Sequence, residues 1–216
     1  MLKLEAYSKA YSGHTIIERS DLEIPMGIHW VKGQNGSGKS TLFRSIGGII
    51  PFDGNILWKE KNLKKNPVAY RLCVNLGEAE PLYPEFLSGW DILKFVAEAK
   101  RAEEGQLFAF GELFGSDQYW KQPIGTYSSG MTKKIGMIAA FLGSPELILL
   151  DEPLVTLDKV SIQKLVDLIL EKYKKESVSF LLSSHQDTAL EALPITQFYE
   201  VKYGRIYEQN TLSDLG

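Results

Sequence analysis

The sequence predicts an α/β fold. A P-loop α/β core carries a phosphate-binding loop, with an antiparallel β edge at the N-terminus and a helical lobe inserted between about Ala79 and Leu142. Three observations predict it. Gly33-Gln34-Asn35-Gly36-Ser37-Gly38-Lys39-Ser40-Thr41 matches G-x-x-x-x-G-K-[ST], with an apolar strand before it and a helix after it. Leu147-Ile148-Leu149-Leu150 is a continuous apolar run suited to a central parallel strand, and it ends in two acids, Asp151 and Glu152. From about Ser88 to Leu142 the apolar period becomes helical.

The elements follow in order. Met1 to Tyr7 alternates like a strand, and turn signals fall at Ser12-Gly13 and Met26-Gly27. Ile28 to Val31 reads as a short buried strand and Ser40 to Ile46 as a helix, stopped by Gly47-Gly48. Gly54 to Trp58 and Arg71 to Leu76 read as strands, the second holding Cys73. Asp91, Ile92, Leu93, Phe95 and Val96 begin one apolar helical stripe; Leu107, Phe108, Phe110, Leu113 and Phe114 make a second. Phe108, Phe110 and Phe114 read as its core-facing side, with a groove for a partner helix as the alternative. Val160 to Tyr173 is an amphipathic helix whose solvated end is Lys172-Tyr173-Lys174-Lys175, favourable to its dipole. Val178 to Leu182 is another buried strand, and the tail alternates around Tyr203-Gly204.

Composition narrows the function. The chain has 216 residues with 44% hydrophobic and 24% charged, ordinary for a soluble globular protein with one sizeable core. Its net charge of −3 gives no electrostatic grip on nucleic acid. Cys73 is the only cysteine, so no intrachain disulfide forms and a reducing compartment is expected. No apolar run reaches membrane-spanning length, so work at a membrane would need another chain for the span. His14 and His29 lack ligand spacing and are assigned no chemistry.

The chemistry begins at the loop. Its glycines let the backbone fold into an anion-holding nest at a helix N-terminus. Lys39 supplies a mobile charge for the outer phosphates and Ser40 a hydroxyl for magnesium. The strand before Asp151 brings both acids to the carboxyl edge of the sheet, where open α/β sheets bind ligands. Asp151 suits a magnesium ion. Glu152, expected to face the other way in an extended chain, suits a water to be oriented or deprotonated. A third motif is Tyr127-Ser128-Ser129-Gly130-Met131, followed by Thr132-Lys133-Lys134 and an apolar helix from Ile135 to Leu142. Ser128 reads as that helix's N-cap.

With this motif the chain resembles the nucleotide-binding subunits of ABC transporters over nearly its whole length, all motifs standing in order. Their signature, usually L-S-G-G-Q, lies just before the acidic strand. The resemblance implies a P-loop NTPase core, here residues 1–78 and 143–216, with a helical subdomain at 79–142 that carries the signature. It implies ATP and Mg2+ bound by Gly33, Asn35, Gly36, Ser37, Gly38, Lys39, Ser40 and Thr41 (Walker A), with Asp151 as second metal holder and Glu152 as catalytic base. It places Asp158 in the D-loop, His185 at the switch histidine, Glu78 at the Q-loop as a catalytic and metal-binding position, and Tyr11 against adenine, with Tyr7 as its nearest rival. Ser128, Ser129, Gly130 and Met131 would then touch ATP held by a second subunit, in a homodimer or a heterodimer. Ser129, Met131 and Tyr127 depart from the usual signature, and Glu78 replaces a glutamine; the set resembles separately encoded exporter-type subunits. The implied activity is ATP hydrolysis driving an integral membrane permease, with the chain at the membrane's cytoplasmic face and no nucleic-acid partner. The alternative is an ABC-type ATPase of a soluble assembly, for example iron–sulfur assembly or repair. A small-molecule kinase would share the loop and leave the signature, Asp158 and His185 unexplained.

Overall fold

The computed structural model describes residues 1–184 and 192–209. Two sheets face each other. The first, antiparallel, runs β2-β1-β4-β5, from β1 (Leu2–Tyr11), β2 (His14–Ile24), β4 (Asp53–Trp58) and the short β5 (Lys61–Asn62). The second runs β10-β9-β3-β8-β7-β6, from β3 (Ile28–Lys32), β6 (Val74–Gly77), β7 (Leu147–Leu150), β8 (Ser179–Ser183), β9 (Gln197–Lys202) and β10 (Arg205–Gln209). All its pairings are parallel except the β9–β10 hairpin.

The apolar runs are continuous because both faces of this second sheet are covered. Along β7, Leu147 and Leu149 enter the core shared with the antiparallel sheet and α1 (Lys39–Ile46), while Ile148 and Leu150 enter the core shared with α5 (Ser129–Phe141) and α6 (Lys159–Glu176). Residues of β8 divide the same way, Leu181 to the first core and Phe180 and Leu182 to the second. A one-residue slip of either strand would exchange these sets. α1 buries Leu42, Phe43 and Ile46 completely, worth roughly 1.5–3 kcal/mol per side chain relative to exposure.

The helical stretch resolves into α3 (Gly89–Ala99), α4 (Gln106–Phe114) and α5. Ser88 caps α3 in a capping box with Asp91, and α4 ends on Gly115 at φ 66. Among the described residues no helix is long and apolar enough to cross a membrane.

The structure corrects several expectations. Arg71-Leu72-Cys73 is not strand but the last part of α2 (Pro67–Cys73), with β6 starting only at Val74. Pro67 pre-sets the first helical turn, and the Tyr70 hydroxyl donates to the Ile46 carbonyl at 2.9 Å, fixing the helix on α1's end. Phe108 is not core: it is 59% exposed, whereas Phe110 and Phe114 are buried. Two residues of helix turn it some 200° from Phe110, onto the indoles of Trp90 and Trp120. Phe95, expected in the α3 stripe, is exposed as well. Lys172 does not end α6 in solvent alone, since its ammonium lies over the Phe110 ring and pairs with Glu176.

Candidate phosphate-binding site

The turn after β3 is built by glycines with backbone angles that side chains rarely adopt. Gly38, at φ 107, is the N-cap of α1, so the loop delivers its amides to the helix start. A Cβ on Gly33 would lie 2.5 Å from the Val201 carbonyl oxygen, so β9 closes the loop from behind. The Lys39 ammonium donates to the Gly33 and Gln34 carbonyls at 2.7 and 3.2 Å. Burial pushes its pKa down, and the nearby charges of Glu152 and Asp151 oppose that fall.

A cavity of about 250 Å³ is lined by Ile16, Glu152 and the loop from Asn35 to Thr41. Thus Asn35, Gly36, Ser37, Gly38, Lys39, Ser40 and Thr41 meet Glu152 in one space. The residues present fit an anion and its metal. The Ser37 hydroxyl is buried with no hydrogen-bond partner in the loop that lines this cavity. The Ser40 hydroxyl lines the cavity and is a hard oxygen of the kind magnesium takes, whereas Asp151 is buried outside the lining with its Oδ1 accepting from Ser183.

The tip of β7 departs from the extended chain expected there. Glu152 sits at φ 45, and its amide donates to Ser183 Oγ at 2.9 Å. The same hydroxyl donates to Asp151 Oδ1 at 2.5 Å. The left-handed turn aims Glu152 into the loop's cavity instead of away along a strand. Glu78 follows the end of β6, and its carboxylate accepts from Arg44 Nε at 2.6 Å. The guanidinium thus already neutralises one oxygen of this carboxylate.

The signature segment starts α5. Ser128 is its N-cap, accepting from the Met131 amide at 3.2 Å, and Ser128 and Ser129 are exposed. Gly130 lies flush on the following loop, where an added Cβ would stand 2.9 Å from the Thr156 carbonyl oxygen. Asp158 caps α6 by accepting from the Ser161 amide at 2.8 Å. Those Ser161 contacts and Lys134, 3.0 Å away, hold its carboxyl well below the usual range. None of Ser128, Ser129, Gly130, Met131 or Asp158 lines the cavity at the loop.

Tyr11 ends β1, 47% exposed, with the Lys9 ammonium 4.2 Å from its ring centre. Tyr7 is fully buried and donates to Ser45 Oγ, its pKa pushed up to about 12 by burial, so it offers no ring face to a ligand. His185 lies outside the described residues.

Sequence reasoning missed several residues here. Arg44 holds Glu78, Ser183 holds the β7 tip, and Lys133, only 1% exposed, donates to the carbonyls of Glu78, Ala79 and Asp151. Burial pushes the Lys133 pKa down to about 8. Only Lys133 carried a signal, a lysine two places before an unbroken apolar helix face.

Known proteins resemble this chain in sequence and in fold. A family model described as "ABC transporter" matches residues 17–155. The chain is 30% identical over 187 residues to the lantibiotic transport ATP-binding protein SrtF of Streptococcus pyogenes, covering 86% of this chain and 80% of that one. It is 28% identical over 194 residues to the cytochrome c biogenesis ATP-binding export protein CcmA of Legionella pneumophila, covering 88% and 94%. Among solved structures, an ATP-binding subunit of an ABC transporter superposes with a TM-score of 0.87 at 25% identity, covering 100% of this chain and 91% of that one. The ATP-binding cassette MJ0796, solved as a post-hydrolysis dimer with ADP and Pi, shares the fold at a TM-score of 0.85 and 16% identity, covering 97% and 98%.

Proposed function

The chain belongs to the ABC transporter family as an ATP-binding, ATP-hydrolysing subunit, and from that premise we propose that it forms half of a head-to-tail ATP sandwich powering a separately encoded membrane permease. One observation carries this reading: the motifs are split. Lys39, Ser40 and Glu152 share one cavity, while the exposed Ser128–Ser129 end of α5 lines none of it. A second subunit, identical or homologous, supplies Ser128, Ser129, Gly130 and Met131 to the γ-phosphate of the first.

In this mechanism the arriving phosphates take the Lys39 ammonium from the Gly33 and Gln34 carbonyls. Loop amides and the Ser37 hydroxyl hold the remaining oxygens. Ser40 and Asp151 would hold magnesium, with Glu78 joining if it left Arg44, and the chemistry so supplied would be neutralisation of charge on the outer phosphates. Glu152, already aimed into the cavity, orients and deprotonates the attacking water. Tyr11 stacks on adenine, His185 contacts the γ-phosphate, and Asp158 faces the partner. The signature helix N-terminus stabilises developing charge in trans.

Residues 1–78 and 143–216 act as the core and 79–142 as the lobe. Just beyond Glu78, Leu82 and Phe86 are 87% and 81% exposed, an apolar face suited to the permease at the cytoplasmic side of the membrane. The net charge of −3 favours no nucleic-acid partner. The test is ATP turnover by Glu152→Gln, expected to fall by at least a hundredfold, with gel filtration of that variant in ATP. A dimer is expected. Wild-type turnover in the variant, or a monomer at high concentration with ATP, refutes the corresponding part.

A further inference from the structure

We propose that Lys133 is a positioning residue that holds the ends of β6 and β7, and with them Asp151 and Glu152, in register with the signature helix of the same chain. β6 and β7 are neighbours in the sheet, Gly77 beside Leu150, and the ladder's last bond runs from the Asp151 amide to the Gly77 carbonyl at 2.8 Å. Past that bond the strands part. The carbonyls of Glu78, Ala79 and Asp151 then need another donor, because buried backbone oxygens are rarely left unpaired. The Lys133 ammonium donates to all three, at 2.9, 2.8 and 3.2 Å. An ammonium has three N–H groups, so the donor count and the acceptor count match. An apolar side chain here would strand three oxygens, and a glutamine would serve two.

The helix that bears Lys133 is seated close enough for this contact to fix its position. A Cβ on Gly77 would lie 2.8 Å from the Met137 methyl, and one on Gly136 would lie 3.0 Å from the Pro81 ring. One turn before Lys133 on the same helix are Gly130 and the Ser128 cap. The ammonium therefore joins three things within one chain: the segment that starts at Glu78, the strand tip that carries Asp151 and Glu152, and the start of the signature helix. This inference rests on the proposed trans role of Ser128–Met131. If that role holds, Lys133 makes the geometry of a subunit's own hydrolytic residues depend on where its signature helix sits against the partner's nucleotide.

The test compares Lys133→Met, which keeps an apolar stem of similar length, with Lys133→Gln, which restores two donors. Turnover is measured against ATP concentration, and binding of a fluorescent ATP analogue gives the active fraction. Lys133→Met is expected to bind the analogue within about twofold of wild type while kcat per binding site falls tenfold to a hundredfold, the effect of misplacing reacting groups by about an ångström. Lys133→Gln should recover part of that loss. Wild-type kcat in Lys133→Met overturns the proposal, as does a loss accounted for by fewer binding-competent molecules, or no recovery in Lys133→Gln. Hydrogen exchange on the wild-type protein tests it without any variant. A non-hydrolysable ATP analogue should change protection at residues 78–83, 152–156 and 129–134 together, and a change confined to one segment overturns it. Glu152→Gln, assayed in parallel, separates the two claims. If it turns over ATP like wild type, the functional reading fails whatever Lys133 does; if it is inactive while Lys133→Met is normal, only the positioning role fails.

Discussion

Ser183→Ala removes a single oxygen from the buried end of β8 and should cost far more than its size suggests. The Ser183 hydroxyl donates to Asp151 Oδ1 at 2.5 Å and accepts from the Glu152 amide at 2.9 Å. The first is a charge-assisted bond worth about 1.5–3 kcal/mol, and an amide left without an acceptor costs about 1–3 kcal/mol more. Glu152 is half-buried, so water reaches part of the freed amide and the second cost falls at the lower end of its range. The expected total is about 3 kcal/mol. For a chain of this size that lowers the melting temperature by roughly 6–12 °C. Urea titration should show a reduced midpoint at unchanged slope, since the surface exposed on unfolding is the same. Glu152, at φ 45, would also be freed to relax toward an extended backbone, so ATP turnover should drop while nucleotide binding persists. A variant within about 0.5 kcal/mol of wild type, at unchanged slope, would refute the claim that this hydroxyl clamps the β7 tip.

Three further outcomes are expected. Gly111→Ala should destabilise although alanine favours helix by about 1 kcal/mol, because its Cβ would lie 2.1 Å from the Trp120 ring and overpacking costs about 1–3 kcal/mol; a raised melting temperature would contradict this. Gly130→Ala should bind nucleotide normally and hydrolyse it at least tenfold more slowly, since its Cβ meets the Thr156 carbonyl at 2.9 Å and tilts the helix start; equal single-turnover rates would contradict this. Glu146 sets an acid limit. Burial tends to raise its pKa, but hydrogen bonds from Lys59, Trp58, Cys73 and Lys61 outweigh it and hold the carboxyl at about 2. Its folded value lies below its unfolded one, so its stabilisation is complete above the usual 4.5 and is lost as pH falls toward 2. Discounted for partial exposure, this is about 1–2 kcal/mol, and Glu146→Gln should flatten that limb of the urea midpoint.

What the sequence made legible was whatever one short segment encodes by itself. The loop from Gly33 to Thr41, the apolar run of β7 and the Ser128 cap each declare their local geometry, because glycine freedom, double-sided burial and capping act within a few residues. Residues 71–73 did not, since Leu72-Cys73-Val74 suits either period and the decision fell to Pro67 upstream and to Tyr70 docking on α1. Phe108 was misread because two stripes overlap in α4, and only the positions of Trp90 and Trp120 show which is outward. Arg44 and Ser183 were invisible for a different reason, and the place of Lys133 before an apolar helix face gave no hint of its partners. Each acts on a partner 31 to 55 residues away in sequence, among them Glu78 from Arg44, Glu152 from Ser183 and Glu78 from Lys133. Pairing at that distance is a property of the folded topology and has no local signature.

The segment between β7 and α6 gathers these long-range contacts. Glu152 at φ 45 and Thr156 at φ 67 both occupy the left-handed region without being glycine, at a cost of order 1–3 kcal/mol each. Such strain persists only where the surroundings over-determine it, and here they do from separate directions. Ser183 of β8 grips the Glu152 amide, Gly130 of α5 leaves room for the Thr156 carbonyl, and Lys134 pairs with Asp158. The hydrolytic end of the segment is therefore clamped by the core and its far end by the signature helix. α5 thus touches both ends of the segment, at Thr156 through the close approach of Gly130 and at Asp151 through Lys133. Glu152, next to Asp151 and in the cavity with the loop, is thereby tied to α5, the helix proposed to meet a second subunit's nucleotide.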